Sequence, residues 1–444
     1  MSPVAIRELA ALGITRRTEW RQSTAIRSAA VHLDGEHLVA SPMPRKRGLP
    51  GLGRVIPRKI LDAWLVAGAR EAGAKLLERS RVIGFAAGRS GVVVTVQHPQ
   101  GERTLRACVL IGADGSSSLV ARLLRGDRDC DHDRIIAIRG YFEDVRGPAD
   151  RADLYFASDS FPGYCWVFPT GKGVANVGVG TILKTLPPSR QHLRELLLRL
   201  IGEDAALKRR LDGARLAGTI VGWPLTTYNP RLPVTGDRVL LAGDAAGLIN
   251  PLNGEGIQYA LLSGRWAAET LIACAASRDF SGRALGAYAA RIDDELRYDL
   301  SLSRTIVQLI RNRALNALWL EALRIIAAQA RVDAEYARIT GGVLAGILPA
   351  RSLLSVKVVR DTVQQAALGL GLRTLAELSL RPNDLATIGV RLSDAAVDIA
   401  STILRHRGDS ERWGAELVTS TIDVASEAFR HVSASAPSRL RARQ

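Results

Sequence analysis

Residues with the types and spacing for chemistry fall in three places. Asp244 ends the apolar run Val239-Leu240-Leu241-Ala242-Gly243 and is followed by Pro251, Gly254, Glu255 and Gly256 before a helical pattern opens at Ile257. A carboxylate at a strand end accepts hydrogen bonds from sugar-like hydroxyls. Glycines let the backbone approach a flat ring, and a helix start directs its positive end at negative charge. The second place is Gly112-Ala113-Asp114-Gly115-Ser116-Ser117-Ser118. Asp-Gly followed by serines reads equally well as turn and N-cap chemistry or as a ligand loop. The third is Tyr164-Cys165-Trp166-Val167-Phe168-Pro169, where period-two alternation puts Tyr164, Trp166 and Phe168 on one strand face. Such a face either lines an apolar slot or packs into its own core.

No metal centre is expected. The cluster Cys130-Asp131-His132-Asp133 lies in a polar stretch and reads as a solvated loop, and Cys108, Cys130, Cys165 and Cys274 have no paired spacing. Unpaired cysteines fit a reducing cytoplasm.

The elements that position these residues repeat one pattern. Both the Asp114 and the Asp244 segments read as a buried strand, a tight turn and a helix, the first strand spanning 107–111. In open α/β sheets ligands bind beyond the carboxyl ends of strands, at helix amino termini. Two such junctions so far apart predict one sheet interrupted by an insert. The expected domains are 1–134 as the first part of a ligand-binding domain, 135–230 as an inserted antiparallel sheet, and 231–282 as the second part. A helical region at 283–350 and a helical extension of unknown role at 351–444 follow. At 444 residues, with 47% hydrophobic and 23% charged residues, the chain is globular and multidomain. The net charge of +16 is nearly all arginine. Neither zinc-finger spacing nor an RNP-type aromatic strand accompanies it, so nucleic acid is not the expected partner. The apolar run 339–348 is too short to cross a bilayer, which needs about 18 residues. A cytoplasmic location is expected, with an anionic membrane surface as a candidate contact for the arginine-rich helices at 283–331.

The Asp244 segment strongly resembles the second flavin-binding signature of FAD-dependent monooxygenases and geranylgeranyl reductases. The Asp114-Gly115 segment is similar to the Asp-Gly signature of the same families, which lies near the cofactor's pyrophosphate. Pro57-Arg58 with Asp62 is similar to their early FAD-contacting arginine and its helix. Tyr164 to Pro169, followed by Val174 to Gly180, closely resembles the Tyr-x-Trp-x-Phe-Pro motif of geranylgeranyl reductases, which lines the substrate cavity. Halogenases carry a Trp-x-Trp-x-Ile-Pro strand instead, and the residues here disfavour that chemistry. The resemblance implies an α/β fold: an FAD/NAD(P)-binding Rossmann-like sheet, incomplete at its amino-terminal side, with an inserted antiparallel-sheet substrate domain and a helical C-terminal region. The families open with a strand, a Gly-x-Gly-x-x-Gly turn and an acid on the next strand, which hold the ADP half of FAD. None of these is found. Gly48-Leu-Pro-Gly51-Leu-Gly53 has no preceding strand and reads as a surface loop. Either translation starts upstream of Met1, or the product is a remnant.

The resemblance implies an FAD-dependent reductase saturating isoprene double bonds of a polyprenyl lipid or quinone. FAD would be held by Arg58, Asp114, Gly115, Gly243, Asp244, Pro251, Gly254, Glu255 and Gly256, and an apolar substrate by Tyr164, Trp166, Phe168 and Pro169. No side chain stands out as the catalytic acid. The electron donor would be NAD(P)H or a small redox protein. The alternatives are an aromatic monooxygenase on the same scaffold and a non-catalytic remnant.

Overall fold

The first helix starts as its residue types predict, with Ser2 Oγ accepting from the Ala5 amide at 3.2 Å and proline in the first turn. The computed structural model describes residues 1–126, 134–182, 193–369 and 407–435. The Cys130–Asp133 cluster lies outside them. In chain order, α1 (Pro3–Ala11), α2 (Thr18–Gln22), β1 (Thr24–Ile26), β2 (Ser28–Leu33), β3 (Glu36–Pro42), β4 (Gly53–Val55) and α3 (Arg58–Glu71) come first. Then follow β5 (Arg81–Gly88), β6 (Gly91–His98), β7 (Gly101–Ala107), β8 (Leu110–Gly112) and α4 (Leu119–Arg125). The middle of the chain gives β9 (Arg134–Glu143), β10 (Arg151–Phe156), β11 (Tyr164–Gly171), β12 (Val174–Ile182), α5 (Leu193–Glu203), α6 (Ala205–Leu211) and β13 (Arg215–Thr226). After β14 (Thr235–Gly236) and β15 (Val239–Leu241) the chain is helical: α7 (Ile257–Ser277), α8 (Gly282–Ile292), α9 (Tyr298–Ile310), α10 (Asn316–Val332), α11 (Ala334–Leu344), α12 (Val356–Gly369) and α13 (Arg407–Ser435).

These elements form two units, one from Met1–Leu76, Arg134–Leu225 and Ile310–Glu411, the other from Leu77–Asp133, Thr226–Leu309 and Arg412–Gln444. The first unit is built on a seven-stranded sheet in the order β13-β9-β12-β11-β10-β2-β3. Its β9, β12, β11 and β10 pair antiparallel, whereas β10 and β2 pair parallel. Alternation splits each strand between two layers. Tyr155, Cys165, Val167, Val177 and Val179 pack with Leu196, Leu197 and Leu200 of α5 and Leu207 and Leu211 of α6. The opposite face, with Leu33, Phe156 and partly buried Leu154 and Tyr164, packs against Leu320, Leu323 and Ala327 of α10. Each fully buried Leu or Val contributes roughly 1.5–3 kcal/mol. Asp153 is wholly buried in the α5-side layer. It accepts from Arg151 Nε at 2.6 Å, pairs with Arg210 Nε at 3.1 Å, and lies 3.9 Å from His32 Nε2.

The second unit holds the sheet β14-β15-β8, in which β15 and β8 run parallel with Val239 opposite Leu110 and Leu241 opposite Gly112. A separate meander, β5-β6-β7, buries Val92, Val94 and Val96. The run 107–111, expected as a single strand, is divided between the two: β7 ends at Ala107 and β8 begins at Leu110. Local apolarity is the same in both pieces, and only the pairing partners differ. Helix α13 packs on α9, with Trp413 Nε1 donating to the Gln308 carbonyl at 2.5 Å and Arg304 Nη1 to Ser420 Oγ at 3.1 Å. Arg297, in a π-helical turn between α8 and α9, pairs with Glu427 at 2.8 Å.

Residues 1–76 join the inserted sheet because β2 pairs with β10. Residues 283–309 join the second unit, and the C-terminal extension is shared between both.

Candidate functional site

In the second unit the two glycine-acid motifs meet. The Ala242 amide donates to Gly112 O at 2.9 Å, extending the β15–β8 ladder by a residue before the chain turns. Gly243 then takes φ +57°, in the left-handed region, and a Cβ there would stand 3.1 Å from Ala260 Cβ. Only glycine satisfies both demands. The Gly243 amide donates to Ser263 Oγ at 2.9 Å, which ties the turn to α7. Behind it, the buried Tyr288 hydroxyl donates to Leu241 O at 2.6 Å, and burial pushes its pKa up, so it remains a donor.

Half-buried Asp244 accepts from Ser116 Oγ at 3.4 Å, and Ser116 Oγ itself accepts from the Thr226 amide at 3.1 Å. Asp114 is used differently: its carboxylate accepts from Ser118 Oγ and from the amides of Leu119, at 2.8 Å, and Val120, at 3.4 Å. It caps the start of α4. The loop after Asp244 closes on itself, with the Gly254 amide donating to Asn250 O and the Asn250 amide to Glu255 O, each at 2.9 Å. Pro251 is buried within it. Glu255 Oε1 accepts from the Gln258 amide at 3.4 Å in the first turn of α7.

Whether this corner fits a flavin is decided by its donor set. Helix α7 runs 21 residues and its N-cap, Gly256, supplies no side-chain cap. At Gly256 a Cβ would lie 3.3 Å from both Asp244 Oδ1 and Ile249 Cγ1, so the missing side chain leaves backbone open beside the carboxylate. First-turn amides, a carboxylate and bare glycine backbone together suit a flat polar ring carrying a hydroxylated chain and gaining negative charge on reduction. The residues fit FAD's flavin half. Asp244 would hold the sugar-like hydroxyls, and the start of α7 would face the ring.

The first unit carries the aromatic strand. Tyr164, Trp166 and Phe168 are half-buried in a row, with ring centroids 6.0 Å and then 6.1 Å apart. Trp166 lies over β12: a Cβ on Gly178 would meet Trp166 Cζ2 and Ile138 O at 2.4 Å each. Its Nε1 donates to Asn176 Oδ1 at 2.8 Å, which fixes the indole's tilt. Tyr164 contributes to the core beneath α10 as well as to the row. Pro169 is buried, and alternation sets it on the face of Cys165 and Val167, opposite the aromatic row. The Cys165 thiol on that hidden face has its pKa pushed up by burial and stays unreactive. Arg58, also in this unit, opens α3 and pairs with Asp62, Nε to Oδ1, at 3.0 Å.

Residues not singled out from the sequence share the aromatic face. In register, Gly178 is opposite Arg139 and Asn176 opposite Tyr141, and the Arg139 guanidinium sits 4.9 Å from the Tyr141 ring centroid. Ile220 and Gly222 contact the α5-side layer, so alternation turns Trp223, 61% exposed, toward the same face as Arg139. The Arg-x-Tyr and Asn-x-Gly-x-Gly spacings held that signal, but nothing local says which strands become neighbours. Among the described residues no group of side chains could hold a metal ion, and no helix is long and apolar enough to cross a membrane.

The family described as "FAD binding domain" matches residues 50–278. The chain is 31% identical over 276 residues to digeranylgeranylglycerophospholipid reductase 1 of Methanopyrus kandleri, covering 58% of this chain and 68% of that protein. It is 33% identical over 284 residues to menaquinone reductase of Mycolicibacterium smegmatis, covering 61% and 66%. The matches span about three fifths to two thirds of the length of such relatives. A geranylgeranyl bacteriochlorophyll reductase-like protein of Thermoplasma acidophilum shares the fold at TM-score 0.56 and 23% identity, over 82% of this chain and 92% of that one. With the Asp244 turn, the capped Asp114 loop and the aromatic strand all present, the chain belongs to the geranylgeranyl reductase family of FAD-dependent oxidoreductases.

Proposed function

We propose that this protein is an FAD-dependent reductase that saturates isoprene double bonds in the prenyl chain of a lipid or quinone. The observation that carries the reading is the row Tyr164, Trp166 and Phe168, kept half-open by a glycine step on β12 and a hydrogen bond from Asn176. Three rings in line offer a long apolar strip with little polarity, which suits an extended run of prenyl units better than one compact aromatic ring. The names of the relatives, a prenyl glycerophospholipid reductase and a menaquinone reductase, point to the same substrate class.

Bound FAD in its reduced form supplies the hydride equivalent for alkene reduction. The chain's own residues bind and align. Asp244, the Gly254–Gly256 backbone and the first turn of α7 would hold the flavin half, and the Gly115 turn the adjoining part of the cofactor. Tyr164, Trp166 and Phe168 would hold the prenyl chain and exclude water from it. An unactivated alkene polarises poorly, so placement is the main contribution expected of the protein.

The test is direct. FAD-loaded protein is reduced anaerobically and mixed with a digeranylgeranyl glycerophospholipid or a prenylated quinone, and the product is weighed by mass spectrometry. Gain of a hydrogen pair per double bond, with flavin reoxidation, is the expected result. Oxygen insertion in air, with a flavin–oxygen adduct in stopped-flow spectra, would instead make it a hydroxylase. Failure to hold flavin at all would leave a non-catalytic protein.

A further inference from the structure

We propose that the loop between β3 and β4, together with Arg27, forms a phosphate-binding cleft. Arg27, Arg45, Lys46 and Arg47 line an open cleft of about 550 Å3, with Leu49 and Leu52 in its wall. Among the described residues none of these four cations has a carboxylate partner, whereas Arg17, Arg58 and Arg151 of the same unit pair with Glu71, Asp62 and Asp153. Like charges crowded on one loop repel each other, and a bound anion would relieve that repulsion.

The loop is pinned in a defined shape. The Met43 amide donates to Arg27 O at 2.6 Å, and the Arg27 amide to Asp150 O at 2.8 Å, so Asp150 meets the rim through its carbonyl. The Leu49 amide donates to Lys46 O at 3.0 Å across a turn in which Gly48 has φ +78°. Arg45 lies along Gly51, its Cγ 3.3 Å from where a Cβ would be. The far end is held by the Arg54 amide donating to Met1 O at 3.1 Å. The backbone that carries these cations is thus held in place around the cleft.

Guanidinium forks match phosphate oxygens in pairs, and three of them with an ammonium suit a phosphate or diphosphate better than a single carboxylate. Half-exposed Leu49 and Leu52 would flank whatever the phosphate carries. The strand just before Arg27, β1, abuts the end of β11, where Thr24 Oγ1 lies 2.9 Å from the Cβ position of Gly171. The aromatic row runs toward that same end. The ligand is a phosphate group, carried either by an anionic lipid or by a soluble diphosphate, and the site does not depend on the alkene chemistry proposed above.

The test uses the full chain. Co-sedimentation with phosphatidylcholine vesicles, with and without phosphatidylglycerol, probes the lipid source, and calorimetry with inorganic pyrophosphate probes the soluble one. Binding in either arm is expected to weaken about a hundredfold in Arg45→Ser/Lys46→Ser/Arg47→Ser. It should persist in Arg81→Ser/Arg103→Ser/Arg106→Ser, which removes as many exposed charges from the other unit. Preference for phosphatidylglycerol vesicles identifies a lipid headgroup, and pyrophosphate binding without vesicle preference identifies a soluble ligand. Absence of both, or equal loss in the two variants, overturns the cleft and leaves only the general field of a basic protein. Circular dichroism of both variants checks folding, with Lys46→Ser/Arg47→Ser as the milder replacement.

Discussion

A single carboxylate and a single indole carry most of the functional reading at the scale of the residue. Asp244 stands beside bare backbone at Gly256 and accepts from Ser116, so removing it takes a charged acceptor out of the turn. Asp244→Ala is expected to weaken flavin binding by about tenfold to a hundredfold, the worth of a hydrogen bond to a charged group. Flavin absorbance after gel filtration measures it, and retention of full occupancy would contradict the role. Trp166 depends on the absence of a side chain at Gly178, where a Cβ would collide with both the indole and the Ile138 carbonyl. Gly178→Ala should cost about 1–3 kcal/mol through overpacking and also displace the ring. Urea denaturation gives the cost and tryptophan fluorescence the displacement. Trp166→Ala, by contrast, should leave the protein folded and mainly harm turnover of long prenyl chains. Loss of folding in that variant would make the ring a core residue.

Strand pairing settles matters at the scale of the element. The parallel neighbours β10 and β2 place Tyr155 opposite His32, with their rings stacked at 4.5 Å, and Asp153 below them. Burial alone would raise the Asp153 pKa, but neighbouring His32, the hydrogen bond from Arg151 and the charges of Arg151 and Arg210 outweigh it and hold the carboxyl below its ordinary value. A depressed pKa contributes stability that is fully present above the unfolded value, about 3.9, and is lost as pH falls through the lower folded value. Acid should therefore weaken the seven-stranded sheet by protonating this group. Asp153→Asn should cost about 3–5 kcal/mol near neutral pH, because the arginines are left buried without their counter-charge. In denaturant titrations at pH 7 and pH 3, the variant should lose less stability on acidification than the parent protein.

The scale of the whole molecule is set by segments that return to units begun far earlier in the sequence. Strands β2 and β3 of residues 1–76 complete the seven-stranded sheet, and residues 412–435 join the unit of 226–309. Glu427 is nearly buried where α13 meets Arg297, and Trp413 closes the same contact from Gln308. Ending the chain at residue 406 should therefore destabilise the unit that carries Asp244, even though α13 contributes no residue of the flavin signature. A lowered melting temperature, together with a smaller upward shift on adding FAD, is the expected outcome. Bound ligand at about a hundred times its Kd stabilises by about 2.7 kcal/mol, which is readily measured.

The local chemistry was legible in the sequence. The glycine after β15, the acid at the strand end, the Ser2-Pro3 cap and the alternation of Tyr164, Trp166 and Phe168 are dictated by φ, by capping and by the two-residue period of a strand, all of which act over a few positions. Tertiary structure decided the partners. That β2 lies beside β10, that the run 107–111 serves two ladders, that Pro169 is buried on the face of Cys165 and Val167, and that Arg27 joins Arg45, Lys46 and Arg47 around a cleft all depend on contacts between residues distant in sequence. Pairing energies between strands are nearly indifferent to which apolar strand is chosen, so the choice is made only when the whole core is packed at once.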